Sequence, residues 1–399
     1  MGDSSHQQRP IMIMTVKKTI FAFFLVCFFT SLFVPQGARA EQPETVAKQL
    51  IIVDYDTGDV LMEKNADERM PTSSMSKIMT LYMVFDALKK GAISLDDEFL
   101  VSEKAWRMQG SKMFVPLGKK VRVEDLIRGV GIQSGNDATI VLAEGLAGSE
   151  DAFVAAMNKK AQELGMTHSH FMNASGWPDP DHYSTARDLA ILARHIMDDF
   201  PEYYHYFSEK EFTYNKIKQG NRNPLLYRNI GVDGIKTGHT EDGGYGLMGS
   251  GKQDGRRVIM VINGLHSMQE RADESARLIQ WAMTSFKNVT LFKKPEEMVL
   301  GKAGVVFGNA LDVPLVASKP VTVTLPVLYN DNLKVEINYK TPLVAPIKKG
   351  TPVGTVNITL PQGKTIKEDL VAGADVGEVN YFIKLIMKAR MLSSGGRIN

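Results

Sequence analysis

The chain has a single cysteine, Cys27, among its 399 residues. This cysteine lies in an apolar run, 19–34, which follows two lysines and precedes an Ala-x-Ala sequence ending at Ala40. A basic start, a short apolar stretch and small residues before a cleavage point are typical of a secretory signal peptide. We therefore predict that residues 1–40 are removed on export. The mature chain then has no disulfide and no cysteine nucleophile.

The sequence also lacks an apolar stretch of clear membrane-spanning length at its start. A span needs about 20 apolar residues, and the run at 19–34 is shorter. An uncleaved membrane anchor is the alternative interpretation of this segment. We favour cleavage after Ala40, which makes Glu41 the first residue of the mature chain.

The chain also lacks a large excess of positive or negative charge. The formal net charge is +2 at pH 7. Residues 1–40 contain four basic residues and one acidic residue, so the chain without them carries a net charge of −1. Nucleic-acid binding relies on clustered positive charge, and this balance predicts no nucleic-acid partner.

Helix and strand patterns alternate along the chain up to about residue 288. Apolar spacing and capping residues predict helices at 74–88, 123–131, 136–146, 150–164, 185–197 and 271–286. Strands are predicted at 50–55 and 60–62, and a hairpin of 245–251 and 257–263 flanks Asp254-Gly255, a tight-turn sequence. This part of the chain is predicted to be an α+β domain.

The composition changes after residue 288. Residues 294–375 contain many Val, Thr, Pro and Gly residues in short alternating runs without a helical period, which predicts a small all-β domain. Residues 380–392 follow as an amphipathic helix too short to span a bilayer, with Asn380, Lys384 and Lys388 on one face. Such a helix can lie in a membrane interface. Packing onto the β domain is the alternative.

The first of three chemically informative motifs joins Ser74 and Lys77 in a Ser-Met-Ser-Lys sequence. Residues three apart share a helix face, so the hydroxyl and the amine are expected to lie side by side. A lysine whose pKa is lowered can take the proton of a serine and make it nucleophilic. Taken alone, the motif is weak, because solvent-exposed helices often carry Ser and Lys three residues apart, and that interpretation is then favoured.

Two further motifs supply polar groups. Ser134 and Asn136 flank Gly135, which permits a bend that aims both side chains into one cleft. Taken alone, this motif favours the alternative, a helix cap before a run starting at Asp137. The third motif is Lys-Thr-Gly at 236–238, which is predicted to lie on a strand, where it can bind a carboxylate and let a substrate backbone approach closely. An ordinary strand end is the alternative there.

Together the motifs form a known signature. Ser-x-x-Lys, then Ser-x-Asn, then Lys-Thr-Gly is the order found in penicillin-binding proteins and class A β-lactamases. The chain resembles the D-alanyl-D-alanine carboxypeptidase family related to penicillin-binding protein 5, over nearly all of its mature length. Local sequences at 54–58, 173–176 and 183–188 strengthen the resemblance, as do the β domain and the amphipathic tail.

The resemblance implies an α+β catalytic domain of the serine β-lactamase/DD-peptidase type, an antiparallel sheet with a helical cluster. It implies four segments: a signal peptide at 1–40, the catalytic domain at 41–288, an all-β domain at 289–376 and a membrane-anchoring tail at 377–399. The expected location is the periplasm, at the outer face of the cytoplasmic membrane.

The implied reaction is removal of the terminal D-alanine from peptidoglycan stem peptides that end in D-Ala-D-Ala. Ser74 is expected to be the acylated nucleophile, Lys77 its general base and Ser134 a proton relay. The backbone N–H groups of Ser74 and His239 are expected to form the oxyanion hole, in which one donor contributes about 2.7–4 kcal/mol. Lys77 is also the expected base for deacylation.

The resemblance also implies how substrates are held. Asn136 is expected to bind the substrate amide, and Lys236 and Thr237 the terminal carboxylate, with Gly238 and His239 completing the strand beside the substrate. β-Lactams are expected to acylate Ser74 and remain bound. Lys112 departs from the small residue expected near the cleft, and this difference bears on substrate preference.

No metal or other cofactor is implied. His168 and His170 alternate along a strand or loop, which is the favoured interpretation over a pair of metal ligands. Three other functions stay open: a serine β-lactamase, an endopeptidase that cleaves peptide cross-links, and a non-catalytic peptidoglycan-binding protein. The C-terminal β domain argues against the first, and the intact motifs argue against the last.

Overall fold

The computed structural model describes residues 13–18, 42–293, 295–329, 333–361 and 363–393. The chain divides into two compact units: Gln42–Ser285 forms one, and residues 13–18 group with the segment from Phe286 onward in the other. Apart from 13–18, the predicted signal peptide lies outside the described residues.

Seven helices belong to the first unit: α1 Lys77–Lys89, α2 Glu103–Arg107, α3 Val123–Gly131, α4 Asn136–Ala147, α5 Glu150–Glu163, α6 Ala186–Asp199 and α7 Met268–Thr284. Strand β1, Ile13–Lys18, precedes the unit in the chain. The strands of the unit are β2 Gln49–Asp54, β3 Val60–Lys64, β4 Glu98–Leu100, β5 Lys120–Arg122, β6 Glu211–Tyr214, β7 Ile217–Gly220, β8 Val232–Thr240, β9 Gly244–Gln253 and β10 Arg256–Leu265.

The main sheet of this unit has the strand order β3-β2-β10-β9-β8, and all neighbours are antiparallel. Helices α6 and α7 both pack on β10, which explains why this strand is an almost continuous apolar run rather than an alternating one. Strand β8 stands at the edge of the sheet. The predicted antiparallel sheet with a helical cluster is confirmed.

Most predicted helices occur at nearly the expected positions. Helices α7 and α1 begin at other residues than predicted, each for a physical reason. Helix α7 begins at Met268 instead of 271, because the Ser267 hydroxyl accepts from the Glu270 N–H while the Glu270 carboxylate accepts from the His266 N–H. It ends at Thr284 because the next residues pair as a strand. Helix α6 is capped by Thr185, whose hydroxyl accepts a hydrogen bond from the Asp188 N–H.

The start of α1 also differs from the prediction. Residues Ser73–Ser76 form a 3₁₀ turn, and the α-helix begins only at Lys77. Ser73 has a φ of 52°, in the left-handed region. A Cβ on Gly176 would lie 1.8 Å from the Ser73 carbonyl oxygen, so only glycine permits this contact. Tertiary packing against the turn thus overrides the helical pattern.

The second unit is built from strands, as predicted. They are β11 Phe286–Leu291, β12 Val299–Val306, β13 Asp312–Ala317, β14 Val321–Pro326, β15 Lys334–Tyr339, β16 Leu343–Val344, β17 Pro352–Thr359 and β18 Thr365–Ala372. Alternating residues such as Val335 and Ile337 form its core. Strand β1 pairs in parallel with β15, and the predicted cleavage would remove it.

Two helices accompany these strands. Helix α8, Pro295–Met298, is a single turn, and helix α9, Tyr381–Ser393, forms the tail. The apolar side chains Tyr381, Phe382 and Leu385 of α9 are exposed. Among the described helices, none is both long and apolar enough to cross a membrane.

Candidate active site

Lys77 stands at the centre of the site, as the first residue of α1, and is completely buried. Its Nζ lies 2.9 Å from the Ser74 Oγ and 2.7 Å from the Asn136 Oδ1, and it also donates to the carbonyl of Ser175. Ser74 itself is half-buried in the 3₁₀ turn. The fold therefore brings the first two motifs into direct contact around one amine.

Burial lowers the pKa of Lys77 to about 7, because the charged ammonium loses its hydration. The positive charge of Arg222 lowers this pKa further, whereas the carboxylate of Asp137 opposes the shift. At neutral pH a large fraction of the amine is therefore unprotonated. Such an amine, 2.9 Å from the Ser74 hydroxyl, can accept its proton.

The second motif enters the site at the start of α4. Ser134 has a φ of 65° and is 1% exposed, and its Oγ has no hydrogen-bond partner among the described residues. The Asn136 amide nitrogen donates to the Gln109 carbonyl at 2.8 Å. Gly135 occupies the N-cap position of α4, so the motif does lie at a helix start, but none of its side chains caps the helix.

Asp137 has a positioning role that the sequence did not reveal. Its buried carboxylate accepts from three successive backbone N–H groups, those of Met113, Phe114 and Val115, at 2.8, 2.8 and 3.1 Å. These bonds fix the loop that borders the motif. The partners are more than twenty positions away in the chain, so only the fold could show them.

The third motif lies on β8. Lys236 is 2% exposed, its Nζ donates to the Thr237 carbonyl at 3.0 Å, and burial together with nearby cations holds its pKa well below the ordinary value. A Cβ on Gly238 would lie 3.0 Å from the Thr72 carbonyl oxygen, so glycine lets the strand run beside the 3₁₀ turn that carries Ser74. His239 is exposed and stacks on Tyr245 with 3.9 Å between ring centroids.

The 3₁₀ turn Ser73–Ser76 is also contacted by His182, a residue that was not predicted. The Met172 N–H donates to its Nδ1, so the proton lies on Nε2, which is 2.7 Å from the Ser76 Oγ. The Ser76 hydroxyl in turn lies 2.5 Å from that of Thr72. Burial lowers the pKa of His182 to about 4, which keeps the ring neutral.

Two arginines add positive charge to the site, and the sequence did not point to either. Arg271 is 7% exposed, lies over the Tyr245 ring at 5.6 Å, and has an Nε without a partner in the described chain. Burial lowers its pKa to about 10. Arg222 donates to the Ser111 hydroxyl at 2.6 Å. With Lys236, these side chains favour an anionic ligand.

Metal ligands were not predicted, and the described residues contain no group of three His, Cys, Asp or Glu side chains that could hold a metal ion. His170 pairs with Tyr183 in an isolated bridge, and its Nδ1 lies 2.8 Å from the Asp181 carbonyl oxygen. This geometry matches the strand or loop interpretation of the two alternating histidines.

Comparison with known families gives two matches. Residues 36–266 match the family described as D-alanyl-D-alanine carboxypeptidase, and residues 286–378 match the penicillin-binding protein 5 C-terminal domain. The D-alanyl-D-alanine carboxypeptidase DacC of Escherichia coli K12 is 41% identical over 367 residues, which cover 89% of this chain and 91% of that protein.

Two solved structures extend the comparison. Penicillin-binding protein 5 of Haemophilus influenzae has a TM-score of 0.75 and 38% identity, and covers 85% of this chain and 100% of its own. Penicillin-binding protein D2 of Listeria monocytogenes, in its ampicillin-bound form, has a TM-score of 0.55 and 29% identity, over 60% of this chain and 98% of its own.

Proposed function

This chain belongs to the D-alanyl-D-alanine carboxypeptidase family, and from that premise we propose that it works through an acyl-enzyme on Ser74. As a member of the family it is a serine-type carboxypeptidase, a hydrolase. The observation that carries the assignment of Ser74 is the buried amine of Lys77, whose pKa is lowered to about 7, at 2.9 Å from the Ser74 Oγ.

Acylation starts when Lys77 accepts the proton of the Ser74 hydroxyl. The Oγ attacks the carbonyl carbon between the last two D-alanines, and the backbone N–H groups of Ser74 and His239 bind the resulting oxyanion. The bond to the last D-alanine then breaks, and its nitrogen takes a proton through Ser134. The buried Ser134 hydroxyl has no hydrogen-bond partner among the described residues, so it is available for this proton transfer.

Deacylation returns the enzyme to its starting state. A water molecule attacks the ester on Ser74, with Lys77 accepting a proton from it, and the serine regains its own proton as the shortened peptide leaves. Asn136 is proposed to hold the substrate amide. Its side chain already contacts Lys77 and Gln109, so it also orients the amine that acts in both steps.

The substrate is recognised by its terminal carboxylate. Lys236 and Thr237 are proposed to bind this group at the edge of β8, and the buried Arg271 supplies further positive charge. A carboxylate that enters the site supplies negative charge opposite these positive side chains. This favours binding of peptides with a free C-terminus. This feature distinguishes a carboxypeptidase substrate from an internal peptide bond.

β-Lactams are expected to acylate the same serine. Incubation with benzylpenicillin, followed by intact-mass measurement and peptide mapping, is expected to give one stable adduct on the peptide that contains Ser74. Consumption of penicillin without an adduct indicates a β-lactamase, and intact penicillin without an adduct contradicts the proposed site. Conversion of purified cross-linked peptidoglycan dimers into monomers would identify an additional endopeptidase activity.

Location is the second part of the proposal. The layout of residues 1–40 supports export to the periplasm, and mass measurement of the protein from the native host is expected to place Glu41 at the N-terminus. A mass that retains residues 1–40 would contradict cleavage.

Helix α9 is proposed to attach the protein to the membrane surface. Its apolar residues are exposed, and Lys384 and Lys388 can contact anionic lipid head groups. Truncation after Gly377 is expected to abolish co-sedimentation with vesicles that contain anionic lipid, while hydrolysis of soluble peptide continues. The full-length Phe382→Asp, Ile386→Asp variant keeps the tail but loses two of its apolar side chains. It is expected to lose co-sedimentation as the truncated protein does. Unchanged sedimentation of both proteins would exclude the anchor.

A further inference from the structure

Positive charge is concentrated in the β domain and the tail. Residues 286–399 contain 15 basic and 9 acidic residues, whereas residues 41–285 contain 28 basic and 35 acidic residues. A net positive charge attracts anionic surfaces, and a net negative charge repels them. The part of the mature chain suited to an anionic partner is therefore the β domain with its tail.

Three segments of the β domain meet at the end of its sheet where α9 begins, and we call them the tip. They are the turn 307–311 between β12 and β13, residues 340–350 between β15 and β17, and residues 373–378 after β18. Two bridges join them, Ile347 with Val376 and Gly308 with Glu378. The tip is thus a defined surface and not a set of separate loops.

Lysines determine the charge of the tip. Its exposed basic residues are Lys340, Lys348 and Lys349. None of these lysines forms an ion pair within the described part of the chain. Of the acidic residues, Glu378 is paired with Lys384 of α9, and Asp375 accepts a hydrogen bond from the Lys349 N–H at 2.7 Å. The tip therefore has an excess of positive charge.

Exposed aliphatic side chains accompany these lysines. Leu311, in the turn between β12 and β13, is 84% exposed, and Val344 of β16 is 61% exposed. Ammonium groups bind the head groups of anionic lipids, and protruding aliphatic groups can enter the boundary between head groups and acyl chains. The combination fits the surface of an anionic bilayer.

Helix α9 starts directly at the tip. The Val379 N–H donates to the Phe307 carbonyl at 2.9 Å, and the ammonium groups of Lys384 and Lys388 lie over the Phe307 ring at 5.6 and 5.9 Å. The basic side of α9 therefore faces the tip, and the apolar Phe382 is exposed. An interfacial helix keeps its polar side at the level of the head groups, so a turn that rests on that side lies at the same level.

We propose that the tip is a second lipid-binding surface, which binds anionic head groups beside α9. The inference rests on the proposed attachment through α9, because this helix brings the tip to the bilayer. Two contacts, the helix and the tip, hold the β domain in one orientation on the membrane, whereas the helix alone would let the domain turn about residue 379.

The test compares two variants of the mature protein that have the same net charge. Lys340→Gln, Lys348→Gln, Lys349→Gln removes three charges from the tip. Lys319→Gln, Lys334→Gln, Lys364→Gln removes three charges from the opposite end of the same sheet, after β13, at the start of β15 and between β17 and β18. Co-sedimentation with vesicles of equal parts phosphatidylglycerol and phosphatidylcholine measures the affinity of each variant.

The tip variant is expected to bind these vesicles at least about ten-fold more weakly than the unchanged protein. One lysine near an anionic surface contributes about five-fold, and Asp375 offsets part of the total. The control variant is expected to bind like the unchanged protein. Its lysines lie about 25 Å from the tip, the length of the eight-residue β17, and charges are screened beyond about 8–10 Å.

The lack of cysteine in residues 41–399 permits a second measurement with a single attached label. An environment-sensitive fluorophore attached through Leu311→Cys is expected to shift its emission to shorter wavelength when the vesicles are added. The same fluorophore attached through Lys364→Cys, at the opposite end of the sheet, is expected to show no shift. Equal affinities of the two triple variants, or unchanged emission from position 311, would overturn the tip as a lipid-binding surface.

Failure of the tip and failure of the α9 anchor give different results. A fluorophore attached through Leu385→Cys reports on α9 itself. If its emission shifts while the two triple variants bind equally and position 311 gives no shift, only the tip is wrong. If position 385 gives no shift and truncation after Gly377 leaves vesicle binding unchanged, the attachment through α9 is wrong, and the inference about the tip falls with it.

Discussion

Ser74→Ala is expected to lower the rate of D-alanine release by at least about 10⁴-fold, a loss typical of removing a catalytic serine. The half-buried Ser74 side chain has its hydroxyl near the Lys77 amine, and removing the oxygen removes the atom proposed to form the acyl bond. The fold is expected to persist, because the turn is held by other contacts. Steady-state hydrolysis, benzylpenicillin labelling and thermal unfolding together measure the effect.

Ser76→Ala is the matched control in the same turn. Its hydroxyl contacts Thr72 and His182 rather than Lys77, so the variant is expected to lower the unfolding temperature but still to form the penicillin adduct. Full residual activity of Ser74→Ala would rule out Ser74 as the nucleophile. If Ser74→Ala and Ser76→Ala lost benzylpenicillin labelling equally, the loss would come from a disrupted turn and not from the missing Ser74 oxygen.

The second large effect concerns Lys77. The rate of acylation by benzylpenicillin is expected to rise with pH and to level off above about pH 7, because the reactive form is the unprotonated amine and the pKa of Lys77 is lowered to about 7. Well below that pH, the rate is expected to fall about ten-fold per pH unit, because the unprotonated fraction of the amine falls ten-fold. Rapid-mixing measurements between pH 5 and 9 test this profile.

Lys77→Arg keeps a cation but removes the base, because a guanidinium does not deprotonate in this range. We expect acylation to fall by about 10²–10⁴-fold, the usual contribution of a general base. Lys112→Arg is the matched control: its Nζ donates to the Trp106 carbonyl, and the pH profile is expected to stay unchanged. A flat profile in the unchanged protein would exclude Lys77 as the titrating base.

Much of the architecture could be predicted because it depends on local patterns. The period of the apolar residues located α3, α4 and α5, and the tight turn at Asp254-Gly255 located the hairpin of β9 and β10. The loss of helical period after 288 indicated the β domain. Each of these features is determined by residues close together in the chain, so the sequence carries the full signal.

The missed features depend on contacts between distant residues. The 3₁₀ turn that replaces the start of a regular helix depends on Gly176, a residue far along the chain. Asp137 binds a loop more than twenty positions away. The roles of His182 and Arg271 follow from where they lie in the folded chain and not from any motif.

By itself, the sequence determined the type and order of the reactive groups, a serine and a lysine three residues apart followed by Ser-x-Asn and Lys-Thr-Gly, and with them the chemistry of the family. Only the tertiary structure decided how these groups behave. The pKa of Lys77 is lowered by burial and by Arg222, which a distant segment of the chain supplies. Desolvation and electrostatic potential depend on all neighbouring atoms in space, so they are properties of the fold and not of any short segment.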